Sequence, residues 1–471
     1  MATLTFLGAV EGVTGSMYLL KTTSSTVLLD CGLFQGRRAE EAANRKPLPF
    51  SPSDIDAVVL SHAHLDHSGR LPLLINQGYD GPIYMTSPTL DLIEVLLNDA
   101  ASLQLRDVEW ENKRHRRSGK KEIEPLYTLK DVEETLRYCQ GVNYHQKITI
   151  TREVELTLYD AGHILGSSIV ELVITEGDVP RKLVFSGDLG NNQAALLRDP
   201  EYLKDADIVL MESTYGDREH RSMQDTLDEF EQVLADATQD GGNILIPSFA
   251  VGRTQEIIFR LGELYQKGKL PQQLVCLDSP MAIAVTEIYH RYQDVYNHED
   301  RTAIQADDRS PLHLKSLHSF LPTLRYSVST DESMALNRID RGAIIIAGSG
   351  MCNGGRIRHH LKHNLWRHQS HIIFVGYQAM GTPGRTIIDG AKHIKMAGEN
   401  IAVNAQIHTL GGFSAHASQT QLIEWISHFT QPHPKLFLIH GEQDAKLTLQ
   451  MALKEKGWAS TIPIPNQTID L

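Results

Sequence analysis

Residues 55–69 read IDAVVLSHAHLDHSG, and this stretch decides the fold. IDAVVL is a short apolar, β-branched run, the pattern of a buried strand. His62, His64, Asp66 and His67 follow it directly. Neutral imidazole and carboxylate oxygen are the natural protein ligands for zinc where thiolate is absent. In an extended or tightly turned segment, residues two apart face the same way. His62 and His64 can therefore share one ion, while Asp66 and His67 turn toward a second. Surface histidine is a poor explanation for three His and one Asp at this spacing.

Two ions need more ligands, and the flanking sequence offers them in one recurring context. His163 lies in DAGHILGSS, Asp188 in FSGDLG and His440 in LIHGEQDA. Taken alone, a His or Asp at a strand end is usually a surface residue. Each of these follows an apolar strand-like run and has glycine beside it, where a loop on a rigid frame carries chemistry. The two oxygens of Asp188 could each take one cation. Asp30, between STVLL and CG, reads as a partner that orients a ligand histidine.

Composition narrows the class. The chain has 471 residues, too many for one ordinary core, so two domains are expected. No run approaches the roughly 20 apolar residues needed to span a bilayer. The opening MATLTFLGAV reads as a first strand rather than a signal peptide. Four scattered cysteines with no CxxC pair exclude a thiolate zinc site and a disulfide framework, and predict a reducing cytoplasm. The net charge of −13 argues mildly against nucleic acid, but cations are locally dense. One run holds Lys113, Arg114, His115, Arg116, Arg117, Lys120 and Lys121, and another runs from Arg356 to His368.

Residues 1–215 alternate β-rich runs with polar or glycine-containing loops. From about 216 to 395 the pattern becomes strand, loop, helix, repeated, which predicts a parallel sheet covered by helices. From 396 to 471 the His-bearing motifs return. The expected organisation is a first domain in two segments, 1–215 and 396–471, with a second domain of 216–395 inserted between them.

In chain order, Asp30, the HxHxDH cluster, His163, Asp188 and His440 resemble the metallo-β-lactamase superfamily. MESTYGDR with Glu212, GFSAHAS with His416 and HGEQ with His440 are similar to motifs A, B and C of its β-CASP branch. PSFAVGRTQE, GSGMCNGGR and GTPGRTI are similar to that branch's inserted domain. The resemblance implies an αββα sandwich with an inserted α/β, parallel-sheet β-CASP domain. It also implies a metal-dependent ribonuclease, acting internally or from the 5′ end, because DNA-acting members usually lack His at the position of His440. By the same resemblance, His62, His64 and His163 hold one zinc, Asp66, His67 and His440 the other, and Asp188 bridges them. A metal-bridging hydroxide would attack phosphorus, with Asp66, His416 and Glu212 as the catalytic residues. His416 would be the general acid, bonded to Glu212. The donor set also accepts manganese.

Backbone N–H groups at glycine-rich strand-to-helix turns can hold phosphate. Ser248 and Arg253 in PSFAVGR, and Ser349, Gly350 and Arg356 in GSGMCNGGR, are the candidates for binding RNA phosphate. The expected partner is single-stranded RNA, with no membrane and, as among relatives, a homodimer. Two rival readings are a small-molecule ester or thioester hydrolase on the same metals, and a catalytically silent RNA-binding scaffold. The first leaves the inserted domain unexplained. The second requires lost ligands, and here every expected ligand is present.

Overall fold

The computed structural model describes residues 2–36, 38–177, 179–192, 194–292, 320–396 and 398–471. The chain divides into two compact units. The first comprises Met1–Asn192, Asp199–Glu219 and His416–Leu471, and the second Gln193–Arg198 and His220–Ala415.

In the first unit, two sheets pack face to face. One contains β1 (Thr3–Gly8), β2 (Met17–Lys21), β3 (Thr26–Leu29), β4 (Ala57–Val59), β5 (Ile83–Thr86), β6 (Cys139–Val142) and β22 (Thr468–Asp470), in the order β22-β1-β2-β3-β4-β5-β6. The other contains β7 (Ile148–Thr149), β8 (Val154–Asp160), β9 (Ser168–Ile174), β10 (Arg181–Phe185), β11 (Ile208–Met211), β20 (Lys435–Leu438) and β21 (Ser460–Thr461), in the order β21-β20-β11-β10-β9-β8-β7. Strand β1 alternates buried and half-buried positions, as a strand with one face on a core must. Phe6, Tyr18, Phe185 and Phe437 meet between the sheets, with ring centroids 5.2–6.1 Å apart.

Helices close both outer faces. Helix α1 (Ser87–Arg117) contacts β5 and β6 and packs with α2 (Leu129–Tyr138). Thr86 caps α1 and Pro88 sits in its first turn, where a missing N–H costs nothing. On the far side, α6 (Gln419–Ser427) and α7 (Gln443–Glu455) bury Leu422, Trp425, Leu449 and Leu453 against Val184, Val209 and Leu438. Fully burying each such side chain is worth about 1.5–3 kcal/mol. The result is an αββα sandwich.

What matters for function is strand direction. β3, β4 and β5 run parallel in one sheet, and β10, β11 and β20 in the other. β8 joins the latter direction through two antiparallel steps. Asp30, His62–His67, His163, Asp188, Glu212 and His440 therefore all leave the C-terminal ends of strands.

The second unit carries a six-stranded parallel sheet. Its strands are β12 (Ile244–Pro247), β13 (Leu274–Leu277), β14 (Leu324–Tyr326), β15 (Ala343–Ala347), β16 (His371–Phe374) and β19 (Gln406–Thr409), in the order β14-β13-β15-β12-β16-β19. A small hairpin pairs β17 (His393–Met396) with β18 (Glu399–Ala402). The runs ILIP and AIIIA are buried throughout, because helices α3 (Met223–Asp240), α4 (Arg253–Gln266) and α5 (Ile357–Asn364) join them in the core clusters. β19 pairs with β16 and this unit runs to Ala415, so residues 396–415 and 193–198, expected in the first domain, fall in the second, while residues 216–219 fall in the first. No helix among the described residues is long and apolar enough to cross a membrane.

Candidate metal centre

After β4 the chain turns through HAH and enters one helical turn, Leu65–Ser68. That turn presents Asp66 and His67 to a second donor group, with the His67 ring still 4.1 Å from that of His62. The donor atoms then collect in two groups, His62, His64, His163 and Asp188, and Asp66, His67 and His440, each group within 4.8 Å. His64 Nδ1 lies 3.1 Å from both His62 Nε2 and His163 Nε2. His67 Nε2 lies 3.2 Å from His440 Nε2. These spacings are close to the edge of a tetrahedron with zinc–nitrogen bonds of 2.0–2.1 Å, which is about 3.3 Å.

Asp188 faces both groups. Its Oδ2 is 3.6 Å from His62 Nε2 and from His163 Nε2. Its Oδ1 is 3.4 Å from His67 Nε2 and from His440 Nδ1. Oδ1 is buried without a hydrogen-bond partner. An orphaned buried carboxylate oxygen among imidazoles is costly unless a cation satisfies it. The residues fit a pair of divalent cations on this ground.

Protonation suits that role. Burial pushes the His62 imidazole well down and that of His64 down to about 4, so both are neutral and offer lone pairs. Burial would raise the Asp188 carboxyl, but His440 and His67 outweigh it and keep it ionised.

Asp30, fully buried and at φ +57°, sits behind His67. Its Oδ2 is 2.6 Å from His67 Nδ1, which leaves Nε2 for the cluster. Asp30 also accepts from Ser16 Oγ at 3.0 Å, Ser61 Oγ at 3.0 Å and Ser61 N at 2.8 Å. Ser16 and Ser61 went unnoticed in the sequence because a lone serine carries no signal. Thr214 Oγ1, 3.2 Å from His440 Nδ1, escaped in the same way.

His416 joins the cluster from the other segment of the unit. Ala417 N donates to Leu189 O at 2.8 Å, tying the segment to the residue after Asp188. His416 Nδ1 stands 3.1 Å from Glu212 Oε1 and 4.0 Å from Asp188 Oδ2. Glu212 is fully buried and also accepts from Leu189 N at 2.8 Å and Thr214 N at 3.1 Å. Burial works against the charged ring, but Glu212 and Asp188 raise its proton affinity above the ordinary histidine range. His416 thus holds its proton more tightly than an ordinary histidine, beside the donor clusters.

The five residues expected to hold phosphate lie in the second unit, at the C-terminal ends of the paired strands β12 and β15. Ser248 is buried and accepts from Thr254 Oγ1 at 3.0 Å. Arg253 is buried, with Nη1 donating to Phe413 O. Ser349 Oγ accepts from Gly354 N at 3.2 Å. A Cβ on Gly350 would stand 2.5 Å from the Phe249 ring. Arg356 spends its guanidinium on Asp278 Oδ1 at 2.6 Å, Ser327 O at 3.0 Å and Val328 O at 2.8 Å. Asp278 in turn takes His360 Nε2 and Ser333 Oγ, each at 2.6 Å.

Comparison with known proteins agrees with this architecture. Residues 19–209 match the metallo-beta-lactamase superfamily domain and residues 254–387 the Beta-Casp domain. Residues 400–463 match the Zn-dependent metallo-hydrolase RNA specificity domain. The chain is 41% identical over 452 residues to Ribonuclease TTHA0252 of Thermus thermophilus, covering 96% of this chain and 95% of that protein. It is 34% identical over 455 residues to transcription termination factor FttA of Methanocaldococcus jannaschii, covering 93% of this chain and 67% of that one. A crystal structure of a protein of unknown function from Enterococcus faecalis shares the fold, with a TM-score of 0.55, 15% identity and full coverage of both chains. Near-complete coverage at 41% identity, together with the three domain matches, means that the chain belongs to the β-CASP family of metallo-β-lactamase-fold metal-dependent hydrolases.

Proposed function

We propose that the chain is a zinc-dependent ribonuclease acting on single-stranded RNA in RNA processing or degradation. The observation that carries this reading is Asp188, whose two oxygens address separate donor clusters while His416 stands 4.0 Å from one of them. His62, His64 and His163 would hold one ion and Asp66, His67 and His440 the other, with Asp188 shared. When bound, two such cations neutralise a phosphodiester's charge and supply a water nucleophile ionised near neutral pH.

The protein's own groups do the rest. Asp30 fixes the His67 tautomer. Asp66 and Asp188 supply the anionic donors. Glu212 holds the His416 ring by Nδ1 and keeps it protonated, so Nε2 can pass a proton to the departing ribose oxygen. Such proton donation contributes about 10²–10⁴-fold. The similarity to a ribonuclease and to an RNA specificity domain supports RNA as the substrate. Four free thiols, Cys31, Cys139, Cys276 and Cys352, suit a reducing cytoplasm. The reading extends to a homodimer, which light scattering tests directly.

Purified protein, its metal content measured, should cleave 5′-labelled single-stranded RNA, and Asp66→Ala and His416→Ala should not. A product ladder means internal cutting, and immediate release of labelled mononucleotide means 5′ trimming. A native chain that carries metal but leaves RNA intact refutes the substrate assignment.

A further inference from the structure

The C-terminal half of α1 is exposed in an unusual way. Trp110 is 62% exposed, and Leu103 on the same helix is 45% exposed. Arg106, Trp110, Lys113, Arg114 and Arg117 recur at three- and four-residue spacing, which puts them along one helix face. The Arg114 guanidinium lies over the indole, 4.8 Å from its centroid.

The bland account is that cations at a helix C-terminus answer the macrodipole. That effect fades beyond the last turn, and it needs neither Arg106, Lys113 nor a bare tryptophan. Pairing also sorts the cations by side. Arg116 is bonded to Glu122 at 3.0 Å, and His115 faces Glu111 at 3.7 Å. Lys113, Arg114 and Arg117 make no ion pair among the described residues. Asp107, Glu109 and Glu111 lie within a turn or two of these cations, but no acid interrupts the chain from Lys113 to Lys121. In a chain of net charge −13, this is a concentrated cationic surface with an aromatic plate in it.

We propose that this face is a second docking site for single-stranded RNA, on which a base stacks against Trp110 while Lys113, Arg114 and Arg117 hold phosphates. The proposal rests on the ribonuclease reading of the metal centre. An indole beside planar guanidinium and free ammonium is the combination that binds single strands without reading sequence. The site is remote from the chemistry. At its other end α1 is fastened to the His163 loop, where Thr86 Oγ1 and Thr89 Oγ1 donate to Gly166 O at 2.6 and 2.8 Å. From Thr89 to Arg114 the helix runs about 38 Å, at 1.5 Å per residue. Only an RNA long enough to reach both places gains from the second site. An acidic protein segment is the competing occupant. It would use the cations but has less use for the exposed indole.

The test compares the full-length native chain with Trp110→Ala, Trp110→Tyr and the triple change Lys113→Glu, Arg114→Glu, Arg117→Glu. Cleavage of an RNA of about 30 nucleotides is set beside one of about 5. On the long RNA, Trp110→Ala should raise KM about tenfold with kcat unchanged, and Trp110→Tyr should stay near native. The triple change should also flatten the log Kd against log salt slope by about 2, near 0.7 per phosphate lost. On the short RNA all four proteins should match. Equal KM and salt slope for all proteins on the long RNA overturn the proposal. So does an equal rise on both RNAs, which would report general damage. Loss of polyglutamate binding with unchanged RNA affinity also overturns it, in favour of a protein partner. If the native chain cuts no RNA, anisotropy on the long RNA still reads the patch. Weakened binding in the triple variant then upholds the docking site while the ribonuclease reading fails.

Discussion

Replacing Asp278 by asparagine tests whether the second unit is locked from within. Asp278 follows β13, is fully buried, and receives Arg356, His360 and Ser333 at 2.6 Å each. Burial alone would raise its carboxyl, but these donors outweigh burial and hold it at about 2, against an ordinary 3.8. At about 1.36 kcal/mol per pH unit, that depression is worth about 2 kcal/mol at neutral pH. Asparagine forfeits this and turns an amide N–H toward a donor, adding about 1–3 kcal/mol for an unsatisfied buried group. The expected loss is about 3–5 kcal/mol, or about 10 °C in the transition of a unit this size. Because the folded carboxyl is depressed, its contribution is complete above the unfolded value of 3.8 and is lost as pH falls toward 2. Calorimetry from neutral pH to pH 2 should therefore show an acid limb that is shallower in the variant by about 2 kcal/mol. A loss below about 1 kcal/mol, or an unchanged acid limb, refutes the reasoning.

Chelation should abolish cleavage and lower the first unit's melting temperature, with both restored by zinc; full activity after verified metal removal contradicts the centre. His416→Ala should lower kcat about 10²–10⁴-fold with metal content intact, so loss of metal would show that its role is structural. A Cβ on Gly32 would stand 1.6 Å from Asp66 O, so Gly32→Ala should displace Asp66 and reduce bound metal, read by elemental analysis. Lys446 is fully buried, donates to Val10 O, and is pushed down to about 8 by burial. Between about 8 and the ordinary 10.5 the unfolded chain holds the proton more tightly, so the native chain should gain stability as pH rises, by about 3 kcal/mol. Denaturant melts of Lys446→Met should lack this gain.

The candidate donor residues were legible because each follows an apolar strand whose direction is set by its hydrophobic run. Once β4, β8, β10 and β20 are strands in their sheets, His62, His163, Asp188 and His440 converge without further information. Glu212 and His416 were legible only through resemblance, since nothing local links residues 204 positions apart. The run from Arg356 to His368 misled in part. It read as a basic surface, yet His360 is fully buried on Asp278, and Arg356 is bound 78 positions upstream. Partners that distant cannot be read from spacing, and a buried His looks in sequence like any other. Lys446 escaped for the same reason. A lysine four residues from Glu442 reads as a solvated helix face, whereas it reaches inward to a carbonyl 436 residues earlier.

The position of β20 has a consequence for biosynthesis. β20 pairs in parallel with β11, and the main segment of the second unit, His220–Ala415, is encoded between them. A ribosome adding roughly 5–20 residues per second takes on the order of 10–45 s to pass from the end of β11 to the start of β20. Until then the nascent sheet lacks its β20 partner and His440, and for most of that time His416 as well. The emerging polypeptide already carries His62, His64, Asp66, His67, His163 and Asp188, yet neither the second donor group nor the Glu212–His416 pair is complete. Synthesis order thus decides assembly order: the donor groups and the Glu212–His416 pair come together only after the intervening residues have been produced.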